Sequence, residues 1–315
     1  MNKQNISIVI SLFNEEKGVI HFWNSLESVL ISMPERSFEL IWVNDGSTDG
    51  TQRLIDEIRK EKSLNNIKNI SIEFSKNFGH ESAMIAGIDN ASGDAIICID
   101  SDGQHPPAEI PKMINAFNEG NDIVLMQRLE RGDNSYVKKK FSKFFYQIIN
   151  YLSAIKFEEN STDFFLVSNR IKVILASNFR DRNRFIRGFI QSLGFSKSKL
   201  SFSAPAREYG ESNYSYLMLL KLAFNAIFSF SNKPLRISVL LSAVFILFTL
   251  GMIGYTLYTY LNGTSAPSGY NTIIIFMSAS FSILFVTLSI LSLYFEKLIQ
   301  EMRKRPIYII KQKND

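Results

Sequence analysis

Four short apolar runs recur in the first hundred residues, and each gives way to polar loop residues. Residues 6–12 (ISIVISL) are rich in β-branched side chains and lead into Phe13-Asn14-Glu15-Glu16. Residues 38–43 (FELIWV) lead into Asn44-Asp45-Gly46-Ser47-Thr48-Asp49. Residues 70–75 precede Lys76-Asn77-Phe78-Gly79-His80, and the run from Ala95 to Ile99 precedes Asp100-Ser101-Asp102. Runs of this length, bounded by turn residues, predict buried strands, and helical patterns lie between them. The alternation predicts an α/β fold class, with a mostly parallel sheet and crossover helices. Two more strands are expected at residues 122–128 (DIVLMQR) and 161–167 (STDFFLV). Between these, Phe141, Phe144, Phe145, Ile148, Ile149 and Leu152 fall at helical spacing and predict an amphipathic helix. Another helical segment opens at Arg184-Phe185-Ile186-Arg187-Gly188.

The pattern changes near the carboxyl end. The 59 residues from Ile237 to Phe295 contain no Asp, Glu, Lys, Arg or His. A turn-rich break, Asn262 to Gly269, divides them into halves at about 236–260 and 271–295. Each half exceeds the ~20 residues that a helix needs to cross a bilayer. A buried hairpin in a soluble core has no need of so long an uncharged stretch. Lys233 and Arg236 precede the first half, and Lys297, Arg303, Lys304, Arg305, Lys311 and Lys313 follow the second. With no charge in the connecting loop, both flanks are expected in the cytoplasm. Tyr216 to Phe230, largely apolar with only Lys221 charged, reads as a helix lying in the interface plane.

Composition agrees. The mean hydropathy of +0.01 is high for a soluble enzyme, and the excess sits in this hairpin. The net charge of +5 comes with no nucleic-acid-binding motif, so the partner it points to is an anionic membrane surface. The apolar run starting at Ile6 is too short for a signal peptide. The single cysteine, Cys98, permits no internal disulfide and reads as a core residue of a cytoplasmic domain.

The candidate chemistry starts at Asp100-Ser101-Asp102. If the chain stays extended, residues i and i+2 project to one side. Two carboxylates can then share a divalent cation, Mg2+ or Mn2+, that also holds a diphosphate. Open α/β sheets bind ligands at these carboxyl ends. Asn44 to Asp49 reads as a turn plus helix cap, with Ser47 or Asp49 capping, and it leaves the Asp45 carboxylate free to accept from a base or ribose. Arg128 and Arg131 are candidates for capturing phosphate, better suited by their planar fork than Lys138 to Lys140. Asp163 is a candidate general base or a turn residue. Arg187 adds a further cation. The polar loop Arg207-Glu208-Tyr209-Gly210-Glu211-Ser212-Asn213-Tyr214 is expected at the membrane surface, beside a lipid head group.

These segments resemble glycosyltransferase family 2. More narrowly, they resemble the polyprenyl-phosphate glycosyltransferases, which include dolichol-phosphate mannose synthases and bactoprenol glucosyltransferases. SIVISLFNEE, WVNDGSTDGT, SKNFGHESAMIAGIDNASGDAIICIDSDGQHPP, RFIRGF, REYGESNY and FSFSNKPLRI occur in the family's order over nearly the whole chain. The resemblance implies a GT-A domain over residues 1–210 and a juxtamembrane amphipathic helix over 211–234. A two-helix membrane hairpin over 235–296 and a basic tail over 297–315 would follow. It implies inverting transfer from a nucleotide-sugar, with UDP-glucose the first expectation, to polyprenyl phosphate. UDP-N-acetylglucosamine, another UDP-hexose and GDP-mannose remain open. Donor contacts are implied for Phe13, Asn14, Glu15, Asp45, Lys76, Asn77, Gly79, Asp100, Ser101 and Gln104. Asp100, Asp102 and Gln104 would hold the metal, with Asp102 and Asp163 catalytic. Arg128, Arg131, Arg187, Arg207 and Ser212 would meet the acceptor phosphate.

The chain departs from the family at Ser11, where a proline is usual, at Phe165, where an arginine is usual, and at Asn213, where a lysine is usual. A flippase and an outer-face glycosyltransferase are implied partners, in a bacterial inner membrane, and a homo-oligomer is expected because two spans alone offer little membrane packing. Two rival readings are weaker. A processive polysaccharide synthase would carry Gln-x-x-Arg-Trp, whereas Gln191 is followed by Ser-Leu-Gly-Phe. An inactive membrane-anchored scaffold would have lost Asp100 or Asp102, and both are present.

Overall fold

The structure is a computed structural model, and it describes residues 4–61, 66–129, 161–180, 186–203, 233–262, 269–303 and 305–314. Arg131, Lys138 to Lys140, Arg184, Arg207, Ser212 and the expected helices at 141–157 and 216–230 lie outside the described residues. Two compact units divide the chain. The first takes residues 1–141, 157–215 and 305–315, and the second takes 142–156 and 216–304.

In the first unit the expected strands form where the apolar runs lie. They are β1 (Asn5–Leu12), β2 (Ser37–Asn44), β3 (Ile67–Phe74), β4 (Ala95–Asp100), β5 (Ile123–Arg128) and β6 (Ser161–Ser168). β7 (Lys197–Phe202) and β8 (Ile310–Asn314) complete an eight-stranded sheet in the order β7-β5-β6-β4-β1-β2-β3-β8. The central strands β4, β1, β2 and β3 run parallel. β6 enters antiparallel between β4 and β5, and β8 lies antiparallel on β3. The helices are α1 (Val19–Ile31), α2 (Thr51–Glu61), α3 (His80–Asn90), α4 (Ile110–Asn118), α5 (Asn169–Asn178) and α6 (Ile186–Ser192).

Strand alternation sorts the side chains into two cores, one on each face. Ile6, Ile8, Ile10 and Leu12 of β1 pack with Phe22, Trp23 and Leu26 of α1 and with Trp42 of β2. Val9, Val43, Cys98, Phe165 and Val167 face the other way and pack with α3, α5 and α6. Cys98 is buried, as expected of a core residue. Helix α3 lies very close to the sheet. A Cβ at Gly87 would stand 2.1 Å from Val9 Cγ1, so only glycine fits this approach.

The last strand departs from the expected basic tail. Ile310–Asn314 returns to the sheet edge, where Lys311 Nζ reaches Glu73 Oε1 at 2.6 Å. Just before it, Tyr308 stacks on Phe74 with ring centroids 5.2 Å apart and donates to Asp89 Oδ2 at 2.8 Å. Arg180 donates to both oxygens of the same aspartate at 2.8 Å. Tyr308 therefore fastens the returning chain to the carboxyl end of α3.

The second unit contains α7 (Lys233–Leu261) and α8 (Tyr270–Met302). Each has a segment long and apolar enough to cross a membrane, Ser238–Thr259 and Phe276–Glu296, and these agree with the expected halves. Phe245 stacks on Phe276 at 5.6 Å, joining the two helices. Leu240, Leu247, Leu257, Phe285 and Leu291 are exposed.

Replacing Tyr308 by alanine removes both the stack and the buried-edge hydrogen bond. The expected cost is about 2–3 kcal/mol, or a melting temperature lower by roughly 5 °C. Thermal unfolding of the full chain in detergent checks it. An unchanged melting temperature would mean that β8 contributes nothing to holding the sheet.

Candidate active site

Three adjacent strands set out a row of polar groups on the α3-facing side. On β1, Ser7, Val9 and Ser11 alternate away from the first core. Ser11 pairs with Asp100 across the β1–β4 ladder. On β6, Asp163 shares its face with Phe165 and Val167, and the antiparallel β4–β6 register, which pairs Cys98 with Phe165, runs on toward Asp163 opposite Asp100. The row is therefore Ser11, Asp100, Asp163. His80, the first residue of α3, closes it from above.

The contacts within this cluster fix its electrostatics. Ser11 Oγ donates to Asp100 Oδ1 at 2.8 Å and lies 3.2 Å from His80 Nδ1. His80 Nε2 lies 3.5 Å from Asp100 Oδ1 and 3.5 Å from Asp163 Oδ2. Arg187 Nε lies 2.8 Å from Asp163 Oδ1. Because the Ser11 hydroxyl hydrogen goes to Asp100, Nδ1 must donate to Ser11 Oγ. Nε2 faces two carboxylates and must also donate, so the ring is an imidazolium. Burial opposes that charge, but Asp100 and then Asp163 outweigh it and raise the His80 pKa to about 10. Burial would likewise raise Asp163, yet Arg187 and His80 hold its carboxyl well below the usual range. Glu81, beside the cluster, accepts from Ile186 N at 3.0 Å, and burial and then Asp163 push its carboxyl up.

His80, Asp100 and Asp163 offer ligand atoms within 4.8 Å of one another. Carboxylate oxygens suit Mg2+ or Mn2+, whereas the His80 imidazolium has no lone pair to give, so the fit to a divalent cation rests on the carboxylates. The expected ligand set was Asp100, Asp102 and Gln104, and the structure groups them differently. Strand β4 ends at Asp100, and Gly103 takes a φ of 78°, so the chain bends and the same-side rule does not carry on to Asp102. Asp102 Oδ1 accepts from Gln104 N at 3.0 Å, and Gln104 Oε1 accepts from Arg128 Nη2 at 2.7 Å. Arg128 is thereby tied to the Asp102 loop. Ser101 is buried beneath this bend. His105 is buried against Phe164, ring centroids 5.2 Å apart, and its Nδ1 accepts from Asp100 N at 3.2 Å. Burial lowers its pKa, so it stays neutral, and its 3.4 Å approach to Asp100 Oδ2 is no ion pair.

The neighbouring loops are locked together. Asn14 takes a φ of 55°, and its Oδ1 accepts from Thr48 N at 2.9 Å while its own N–H donates to Ser47 Oγ at 2.9 Å. Asp49 Oδ1 accepts from Thr51 N at 3.1 Å, so Asp49 caps α2 while Ser47 holds Asn14. A Cβ at Gly46 would stand 2.3 Å from the Lys76 carbonyl carbon, which explains the glycine.

Asp45 is not the free carboxylate expected. It is buried, and its oxygens accept from Phe78 N at 2.6 Å and Gly79 N at 2.9 Å. The loop crossing over it needs an acceptor for those N–H groups. Burial still raises the Asp45 pKa, against those two bonds. Phe13, Lys76 and Asn77 are exposed around this lock, with Lys76 Nζ 5.3 Å from the Phe78 ring centre. Glu15 lines a small cleft with His21, Ser101, Asp102 and Gly103. His80 is the residue that sequence reasoning left without a role. Its only signal was its place at the foot of a predicted strand, directly after a glycine.

A raised His80 pKa stabilises the fold below the unfolded value of 6.5, and that contribution is lost as pH climbs toward about 10. The depressed Asp163 acts in the opposite sense, contributing above its unfolded value and losing that contribution as pH falls. Water screens the His80 pairing, because that side chain is 40 % exposed, so the effect is read by comparison. In EDTA-treated protein, the melting temperature of the wild type is expected to fall between pH 7 and 10 more steeply than that of His80→Gln. Parallel curves would show that His80 carries no such charge.

Comparison with known proteins gives the family. Residues 7–174 match the family described as glycosyl transferase family 2. A prophage bactoprenol glucosyl transferase homolog of Escherichia coli K12 is 32% identical over 311 residues, covering 98% of both chains. The bactoprenol glucosyl transferase of Shigella phage SfII is 31% identical, covering 98% of this chain and 97% of its own. The crystal structure of glucosyl-3-phosphoglycerate synthase from Mycobacterium tuberculosis, in complex with Mn2+, UDP-glucose and phosphoglyceric acid, aligns with a TM-score of 0.46 at 16% identity. That alignment covers 71% of this chain and 78% of that one. The chain is a glycosyltransferase with a GT-A catalytic sheet, and it belongs to glycosyl transferase family 2.

Proposed function

We propose that the protein transfers a glucosyl group from UDP-glucose to the phosphate of a membrane polyprenol, with inversion at the anomeric carbon. The observation that carries this reading is the end-to-end similarity to bactoprenol glucosyl transferases, joined to the Asp100-Ser101-Asp102 element at the carboxyl end of a central strand.

The residues divide the work. Asp100, at the end of β4, and Asp102, in the bend that follows, would hold a divalent cation from separate positions rather than as one strand face, and the cation would offset the charge of the departing diphosphate when bound. Phe13, exposed beside the locked Asn14–Thr48 loops, offers a face to the nucleotide base. Lys76 and Asn77 extend the same surface. Asp45 acts one step back, by holding the backbone of Phe78 and Gly79. Arg128, steadied by Gln104, and Arg187, steadied by Asp163, offset the repulsion between donor diphosphate and acceptor phosphate.

The acceptor needs little help in losing a proton. The second pKa of a phosphate monoester is about 6, so the nucleophilic oxygen is already charged at neutral pH. Asp163, kept ionised by Arg187 and His80, is a weak base. Its role is therefore to position, and in-line attack follows from orientation of the two phosphates.

Two apolar helices supply the membrane association. The chain leaves the first folded unit before the hairpin and rejoins it afterwards. A spanning hairpin therefore has both outer ends on one face, the cytoplasmic one by its flanking cations. Use of the product outside the cell then requires a flippase and an outer-face transferase.

The test is transfer of labelled sugar from a panel of UDP- and GDP-sugars to undecaprenyl phosphate in detergent, with Mg2+ or Mn2+. One labelled lipid from UDP-glucose is expected, and a different single donor would replace glucose in this reading. Asp102→Asn is expected to lower turnover by at least about a thousandfold with expression and membrane insertion intact. Normal turnover in that variant would remove Asp102 from the reaction.

A further inference from the structure

Ser11 is buried in the row of polar groups at the site, yet neither phosphate handling nor metal binding accounts for it. Its neighbour on the same strand face, Ser7, has a structural duty, donating to the buried Glu39 carboxylate at 2.7 Å. Ser11 instead grips two site residues. Its hydroxyl donates to Asp100 Oδ1 at 2.8 Å, and its oxygen lies 3.2 Å from His80 Nδ1.

That second contact decides which way the imidazole faces. The last torsion of a histidine is broad and roughly two-fold, so packing alone does not choose the ring orientation. With Nδ1 on Ser11, Nε2 is directed at Asp100 Oδ1 and Asp163 Oδ2, each 3.5 Å away. The base of the histidine is fixed as well. Gly79, at a φ of 95°, and Phe78 donate their N–H groups to Asp45, which anchors the chain entering α3. One ring nitrogen is therefore seated on β1, and the other bridges β4 and β6. A proline, the residue usual here in the resembling family, has no hydroxyl to offer.

We propose that Ser11 and His80 form a single positioning unit that fixes the donor-side carboxylate, Asp100, relative to the acceptor-side carboxylate, Asp163. The assignment of sides rests on the glycosyl-transfer reading above. Neither residue touches the reacting atoms. Their contribution is to keep two carboxylates that repel each other at one separation, so that donor and acceptor meet in line.

The experiment uses the full chain in detergent, with Ser11→Ala, His80→Ala and the double variant. Ser11→Ala is expected to lower kcat about tenfold with donor KM within about twofold, and His80→Ala to lower kcat about a hundredfold. If the two act as one unit, the double variant matches His80→Ala within about twofold; independent residues would multiply to roughly a thousandfold. Ser11→Cys, which keeps the shape with a weaker donor, serves if the alanine variant fails to fold, with an intermediate kcat expected.

The second readout is nitrogen NMR of the histidine rings, of which the chain has three. Ser11→Ala should shift the His80 ring nitrogens and leave those of His21 in place. Multiplicative losses, a Ser11→Ala kcat within about twofold of wild type, or unmoved His80 signals would each overturn the unit. If wild-type protein transferred no sugar from any donor, the function reading would fall, and the ring spectra of Ser11→Ala would still decide whether Ser11 seats His80.

Discussion

The site depends on holding two carboxylates of like charge close together. Asp100 and Asp163 offer oxygens within 4.8 Å on neighbouring strands. At an effective dielectric of about 20, that repulsion is roughly 3–4 kcal/mol, a large fraction of a domain's net stability. Direct cross-strand opposition of like charges is ordinarily avoided in sheets. Here it is offset locally by His80 and Arg187, one cation from each of two helices packed on the same face. The antiparallel insertion of β6 produces the juxtaposition, since it carries Asp163 in from the opposite direction and leaves it beside the carboxyl end of β4.

The packing of α3 follows from the same demand. For His80 to reach the row, α3 must lie low on the sheet, which is what Gly87 against Val9 permits. Its amino end is tied by Asp45 through the Phe78 and Gly79 amides, and its carboxyl end by Tyr308 and Arg180 through Asp89. The helix is thus fixed at both ends by groups distant in sequence, and its first side chain inherits that precision. On the other side of the row, the interlocked loops after β1 and β2 build a rigid rim from Asn14, Ser47, Thr48 and Asp49. A rim locked by its own hydrogen bonds binds a ligand with less loss of entropy than one that orders on contact.

Much of this was legible in the sequence. The apolar runs at 6–12, 38–43, 70–75 and 95–99 marked four central strands, because a parallel strand buried on both faces cannot alternate in polarity. Asp100, Arg128, Asp163 and Arg187 were picked out as chemistry-bearing residues, and the structure gathers Asp100, Asp163 and Arg187 into one cluster while Arg128 holds Gln104 beside it. What failed was reasoning that treated a local rule as if it continued. The same-side argument for Asp100 and Asp102 needed an extended chain for two more residues, and the bend at Gly103 ends it. Asp45 read as a free ligand because its hydrogen-bond partners lie more than thirty residues on, in a loop whose path a single sequence does not reveal.

β8 and His80 were missed for a related reason. Ile310 to Asn314 carries two lysines and follows a membrane hairpin, so its composition reads as a basic tail, and pairing with β3 is a relation across more than two hundred residues. His80 stands between a strand and a helix with no repeat, spacing or partner motif to mark it. Its significance comes from strand register: Ser11 opposite Asp100, and Asp100 near Asp163. Register is set by the whole sheet, with a one-residue slip sending every side chain to the other face. A slip of β1 against β4 would turn Ser11 into the first core and leave Nδ1 of His80 without its seat. The apolar residues that specify that register, Val9 on one face and Ile8 and Ile10 on the other, therefore determine the orientation of an imidazole that none of them contacts in the row.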